Sequence, residues 1–394
     1  MHAEIIVSDE RLITREGTIC PVAVRLAEGR ILLFYSTGND AWFTVGGAQL
    51  VSEDNGLAWT STERPLPRVG AIGNIGEGKA VFLDQYLLRV GSGEYAVFAN
   101  ETRDGGRTFG GPRLARVFLE NALDKHYVPR APDDPNYFYE PEIPAFYDSF
   151  VKKHGAWSGG HFFGSVIRLP DGALGASAYC QMKGNMRRKD KQPDAYVGVR
   201  PDEGVAEEAA DDILWSSLFF RSEDEGKSWR ATSVIGRVDE KRPYDAGLLY
   251  SEGFTETGLA CTSDGKIYAL MRHGSYMLLW RAISSDGGRT WSDLMCFNHP
   301  GVAPSLCLMP NGVLAAAWGR PGMTVGFSLD GTGLTWDVQA GIMHDGEPSQ
   351  KYPCIIPAGE NRLMLFYDRR KWDAKRRAFY DHGIYSRTIE IRQH

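Results

Sequence analysis

The sequence predicts an all-β repeat fold, a six-bladed β-propeller formed as one domain over residues 1–394. A short turn phrase recurs five times, an apolar hairpin stands upstream of most copies, and the hairpin strands are near-continuous apolar runs. Repetition of this kind points to a stacked or ring architecture before any single motif is weighed.

The turn phrase reads Ser/Thr-x-Asp-x-Gly-x-Thr-aromatic. Its copies span Ser52–Trp59, Thr102–Phe109, Ser222–Trp229, Ser284–Trp291 and Ser328–Trp336, the last with one extra residue. Asp and Ser/Thr side chains can bond backbone groups inside the turn, and Gly supplies a positive φ. The aromatic residue opens the next strand and packs beneath the turn. The phrase is structural and carries no catalysis.

The apolar hairpins run Ile19–Ser36, Phe163–Cys180, Glu256–His273, Ala303–Arg320 and Tyr352–Arg369, with a weaker copy from about Glu77 to Val90. Each reads as two strands rich in branched and aromatic residues, joined by a Gly or Asn turn. Unbroken apolar runs suit strands buried on both faces. With a third strand leading into each turn phrase and a fourth after it, the blades span about 16–64, 73–118, 160–235, 254–298, 301–340 and 350–391. The last blade has no phrase and ends in the strand-like Gly383–Arg392; Ile5–Val7 can complete it and close the ring. A seven-bladed ring or a solenoid would use the same units.

Chain direction assigns the hairpin turns and turn phrases to one face. Loops after the second strand and crossings between blades fall on the other, where function is expected. Both long insertions belong to that second face. The one at about 119–159 holds the aromatic stretch Tyr137–Pro144; the one at about 181–212 is basic at Arg187–Lys191 and acidic from Glu203 to Asp212.

A net charge of −6 gives no support for nucleic-acid binding, and no run of 18 apolar residues offers a membrane span. The start of the chain lacks a basic and then apolar leader, so the sequence as given is expected in the cytoplasm, and outside it where a leader has been removed. Cys20, Cys180, Cys261, Cys296, Cys307 and Cys354 form no CxxC or Cys/His spacing and read as buried free thiols. No metal cluster, P-loop or dinucleotide-binding glycine pattern occurs, so neither metal nor cofactor is expected.

The turn phrase resembles the Asp-box, or BNR repeat, of the sialidase superfamily. That resemblance implies a propeller and a retaining glycoside hydrolase acting on terminal acidic sugars of a glycan. It also directs attention to the hairpins aligned on their turns at Gly29, Gly172, Gly265, Gly312 and Asn361. Nine residues before the turn stand Cys20, Phe163, Glu256, Ala303 and Tyr352, at the start of the innermost strand. By position and type, Tyr352 matches the sialidase nucleophile and Glu256 its base. Seven or eight residues after the turn stand Ser36, Tyr179, Arg272, Arg320 and the pair Asp368-Arg369. Arginines at matching strand ends suit a carboxylate clamp, because guanidinium and carboxylate share two parallel hydrogen bonds. Arg272 and Arg320 match the second and third arginines of the sialidase triad, and Arg369 is a further candidate. Asp40, in a loop before the first turn phrase and near Trp42, matches the general acid.

One departure stands out. The stretch that opens the first strand in sialidases as Arg-Ile-Pro is here Ile19-Cys20-Pro21, so Ile19 holds the first triad position. Arg15 or Lys351 is a possible substitute. Glu77, Arg89, His161, His273, Lys351 and Asp368 are further polar candidates on the same face. His161, with Tyr352 and the arginines, would also permit a polysaccharide lyase, in which Arg neutralises a uronate and His or Tyr takes the C5 proton. A non-catalytic glycan-binding propeller is the third reading.

Overall fold

The computed structural model describes residues 3–16, 19–36, 47–62, 66, 69–76, 78–91, 93–126, 153, 157–186, 213–238, 251–349, 351–373 and 378–394. Asp40, Glu77, the aromatic stretch 137–144 and the charge runs 187–191 and 203–212 lie outside the described residues.

The fold is all β, with several four-stranded antiparallel sheets. One orders Ile19–Ala27, Arg30–Ser36, Gly47–Ser52 and Thr60–Ser61. The next four-stranded sheet orders Thr255–Cys261, Ile267–Arg272, Leu278–Ser284 and Met295–Pro300. Another orders Val302–Leu308, Leu314–Gly319, Met323–Ser328 and Val338–Met343. Sequence neighbours are sheet neighbours throughout these three. The second strands Ile267–Arg272 and Leu314–Gly319 are buried at every residue, which is why they read as unbroken apolar runs.

The C-terminal sheet orders Cys354–Pro357, Arg362–Asp373 and Ala378–Gln393, and the N-terminal strand Ala3–Val7 adds to its outer edge. Ile5 lies opposite Ile391 there, so both ends of the chain are tied into one sheet.

The described strands from Ala71–Gly76 to Ser228–Gly236 form a larger sheet in which two such units are fused. Tyr86–Gly91 pairs with Glu94–Thr102 on one side and with Trp157–Phe162 on the other. This corrects the hairpin expected from about Glu77 to Val90. Its strands are Ala71–Gly76 and Lys79–Leu83, turning at Gly78 with φ 73°, and Tyr86–Gly91 is an extra strand.

The five turn phrases share one hydrogen-bond pattern. In Ser284–Trp291 the Ser284 hydroxyl donates to Asp286 Oδ1 at 2.8 Å and accepts from Gly288 N at 2.8 Å. Asp286 Oδ1 also accepts from Thr290 N at 2.9 Å. The Thr290 hydroxyl leads the hydrogen bonds that hold the Asp286 carboxyl down at about 2. The longer copy accommodates its extra residue by having Ser328 Oγ accept from Gly333 N at 3.0 Å.

These turns also bind sheet to sheet. A Cβ on Gly56, Gly106, Gly226, Gly288 or Gly333 would meet Met364, Leu26, Val81, Phe219 or Tyr268, each in the preceding unit. The phrase glycines therefore serve close approach as well as turning. Three of the five aromatic residues follow, Trp59 lying edge-on to Phe366, Trp291 to Phe219 and Trp336 to Tyr268, while Phe109 lies edge-on to Phe82 and Trp229 to Phe162 in their own units. The expected packing beneath the turn is thus largely packing onto the neighbouring sheet.

First strands touch in chain order. Ile19–Ala27 contacts Ala71–Gly76, which pairs in parallel with Gly164–Ser165; that strand contacts Thr255–Cys261, then Val302–Leu308, then Cys354–Pro357. Cys354–Pro357 returns to Ile19–Ala27. The ends of these strands therefore meet around a common centre. All six cysteines are unbridged; Cys180 is buried and the others are half-buried.

Candidate active site

Three first strands carry the same irregularity at one end. Pairing skips from Ile19–Ser36 to Val22–Phe34, from Thr255–Arg272 to Gly258–Leu270, and from Val302–Gly319 to Ser305–Ala317. Within each skip one residue is left-handed: Cys20 at φ 53°, Glu256 at 37° and Ala303 at 47°. A bulge breaks the ladder and re-aims a side chain, and an L residue in this region is strained. The alignment nine residues before the turn falls on these bulges. In the remaining two aligned hairpins the left-handed residue is displaced by one, to Gly164 and Lys351. The aligned side chains still converge: Ala303, Tyr352 and Val302 form one cluster, with Cys20 and Phe163 packed against it.

Glu256 and Tyr352 meet at this centre. The Tyr352 hydroxyl donates to Glu256 Oε1 at 2.7 Å, and Ala303 N donates to Glu256 Oε2 at 2.9 Å. Arg272 sits opposite Thr255 in the ladder, which sets its guanidinium beside Glu256. Its Nη1 donates to Glu256 Oε1 at 2.5 Å and to the Tyr352 oxygen at 3.3 Å. Its Nη2 donates to Glu252 Oε1 and to Ser275 Oγ, both at 3.0 Å. Burial opposes the Arg272 charge, but the surrounding anionic oxygens, Glu256 foremost, outweigh it and raise its pKa. Arg272, Glu256 and Tyr352 are all buried.

Arg320 reaches the same place from the next sheet. Its guanidinium lies 5.3 Å from the Tyr352 ring centroid, and its Nη1 donates to Ser275 Oγ at 3.1 Å. Behind it, Gly319 packs on the stretch leading to Tyr352: a Cβ there would stand 1.7 Å from the Lys351 carbonyl oxygen.

The other predicted residues go elsewhere. Arg369 donates to Glu10 Oε2 and Glu347 Oε2, each at 2.7 Å. Lys351 turns its ammonium to the Pro321 carbonyl at 2.6 Å and to Asp345. His161, 3% exposed, lies among the rings of Tyr86, Tyr179 and Trp215 at 4.8–5.4 Å between centroids. Arg89 pairs with Asp124 at 2.9 Å. His273 Nε2 bonds Ser251 Oγ at 2.9 Å, and burial pushes its pKa down to about 4. Asp368 is buried near Arg370, and Ile19 is buried in the first strand.

Glu252 and Ser275 escaped sequence reasoning. Both lie just outside the aligned hairpin, four residues before Glu256 and three after Arg272. Nothing in periodicity marks a loop serine whose oxygen joins arginines from two sheets.

Residues 197–365 match the BNR repeat-like domain. No curated protein sequence matches the chain. Among solved structures, a protein of unknown function from Dyadobacter fermentans superposes with a TM-score of 0.65 at 14% identity, covering 98% of this chain and 99% of that one. The NanB sialidase of Streptococcus pneumoniae gives 0.57 at 10% identity, covering 96% of this chain and 69% of that one. The α-L-arabinanase of Penicillium chrysogenum, complexed with arabinobiose, gives 0.55 at 12%, covering 98% of each. At such identities the likeness is one of fold.

Proposed function

We propose that this chain, with its BNR repeat-like domain, is a single-domain six-bladed β-propeller and a retaining glycoside hydrolase acting on terminal acidic sugars of glycans. The cyclic contact of first strands supports the blade number. The observation that carries the activity is the buried 2.7 Å hydrogen bond from Tyr352 to Glu256, flanked by Arg272 and Arg320.

A free phenol has a pKa near ~10 and attacks poorly at neutral pH. The 2.7 Å hydrogen bond from Tyr352 to Glu256 Oε1 supports that carboxylate as the base that takes the phenolic proton. In the first step Tyr352 Oη bonds the anomeric carbon as the bond to the leaving oxygen breaks. The phenolic proton passes to Glu256, and Asp40 protonates the leaving oxygen. Water then attacks the same carbon and gives its proton to Asp40, the tyrosyl bond breaks, and Glu256 returns its proton to the phenolate. Two inversions retain configuration. A neutral phenol also suits a sugar whose own carboxylate would repel an anionic nucleophile. His161 is buried among three rings, which favours this reading over a lyase using that imidazole.

Turnover of a fluorogenic α-sialoside by wild type and Tyr352→Phe tests the proposal. Release by wild type that the variant abolishes supports it. An ultraviolet-absorbing unsaturated product from a uronate glycan would replace it with the lyase, and binding without turnover with the glycan-binding propeller.

A further inference from the structure

Arg272 cannot be the principal clamp for an incoming carboxylate. Its Nη hydrogens are directed at Glu256, Tyr352, Glu252 and Ser275, and its Nε is buried with no acceptor among the described residues. Ile19 offers no charge at the first triad position. Arg320 stands at the same place, 5.3 Å from the Tyr352 ring centroid.

Ser275 stands there. Both of its bonds are to guanidinium nitrogens, Arg272 Nη2 at 3.0 Å and Arg320 Nη1 at 3.1 Å. Guanidinium only donates, so Ser275 Oγ accepts twice and both of its lone pairs are used. Its own hydrogen remains, and it meets no acceptor among the described residues. Ser275 is half-buried, and Arg272, which bonds it, also bonds the Tyr352 oxygen. A hydroxyl polarised by two cations is a strengthened donor, suited to an anionic oxygen.

We infer that Ser275 is a substrate-binding residue, donating to the carboxylate of the acidic sugar beside Arg320. The inference rests on the acidic-sugar reading above and adds a donor between the second and third triad positions, Arg272 and Arg320.

The test is calorimetric binding of 2,3-didehydro-2-deoxy-N-acetylneuraminate, an anionic sugar probe that needs no turnover. Wild type, Ser275→Ala, Arg320→Met and the double variant are compared, with Ser275→Thr keeping the hydroxyl. Ser275→Ala should weaken binding about tenfold or more, the size of a hydrogen bond to a charged group. Ser275→Thr should stay within roughly threefold of wild type. The decisive comparison is in the Arg320→Met background. A loss that persists there supports direct donation. A loss that vanishes there, or is absent in Ser275→Ala itself, means that Ser275 merely holds Arg320 and overturns the inference. Failure of wild type to bind the probe overturns it too. Tyr352-dependent turnover of a neutral glycoside would then leave the hydrolase reading standing on its own.

Discussion

Tyr352 and Glu256, 96 residues apart in sequence, share a 2.7 Å hydrogen bond at the meeting point of first strands from different sheets. Glu256 reaches it from a strained bulge, at φ 37°. Such strain persists where the surroundings over-determine it, here by bonds from Ala303, Arg272 and Tyr352 to the one carboxylate.

Tyr352→Phe removes one hydroxyl and leaves Glu256 its bonds to Arg272 and Ala303. Stability should fall by no more than about 1.5 kcal/mol, the net worth of one hydrogen bond. On the proposed mechanism turnover should fall by at least roughly 100-fold, because the phenolic nucleophile is removed. Urea denaturation and initial rates on the same preparation check the pair. A variant that keeps full activity removes Tyr352 from the chemistry.

Arg272→Met should be far more damaging to the fold. It leaves Glu256 buried without its cation, and breaking a buried pair costs about 3–5 kcal/mol. Adding Glu256→Gln should recover part of that loss, since the orphaned charge disappears. A double-mutant cycle by denaturation measures the coupling; additive losses would show that the two charges are not linked.

Much of this was legible in the sequence, for local reasons. The turn phrases state their own hydrogen bonds, and the fixed distance from hairpin turn to strand end set Arg272 opposite the residue before Glu256. That distance located Tyr352 only to within one residue of the left-handed position, which Lys351 takes. The hairpin near Glu77 was misplaced because Gly78 turns the chain earlier than the apolar pattern suggests. Arg369 and Lys351 looked like clamp residues, since sequence shows a side chain's strand end and not its partners Glu10, Glu347 and Asp345. Ser275 and Glu252 owe their places to side chains crossing between loops, which leaves no periodic trace.

Gly288→Ala should destabilise by roughly 3 kcal/mol, combining a positive φ with overpacking. Gly288 has φ 82°, and a Cβ there would stand 2.0 Å from a ring carbon of Phe219 in the preceding sheet. Gly172→Ala is the control: its φ is 88°, but nothing lies within 4 Å of the added carbon. Its loss should be only the backbone share, about 1 kcal/mol. Equal losses by denaturation at the two positions would mean that the turn phrases do not bind sheet to sheet through their glycines.

His273 should give the protein an acid-sensitive step separate from its carboxylates. Burial holds its folded pKa at about 4, below the ordinary value near ~6.5. Between those values the unfolded chain binds the proton and the folded chain does not, so stability rises with pH across that window. As pH falls from about 6.5 to about 4, the protein should lose up to roughly 3 kcal/mol from this group, and no more below it. The loss bears on the site through a short path. His273 Nε2 bonds Ser251 Oγ, the His273 carbonyl accepts from Glu252 N at 3.1 Å, and Glu252 holds Arg272. His273→Gln can keep a hydrogen bond to Ser251 without titrating. Its stability, measured by urea denaturation at a series of pH values, should run flatter than wild type between pH 4 and 6.5 by one proton. Parallel curves would place the titrating group elsewhere.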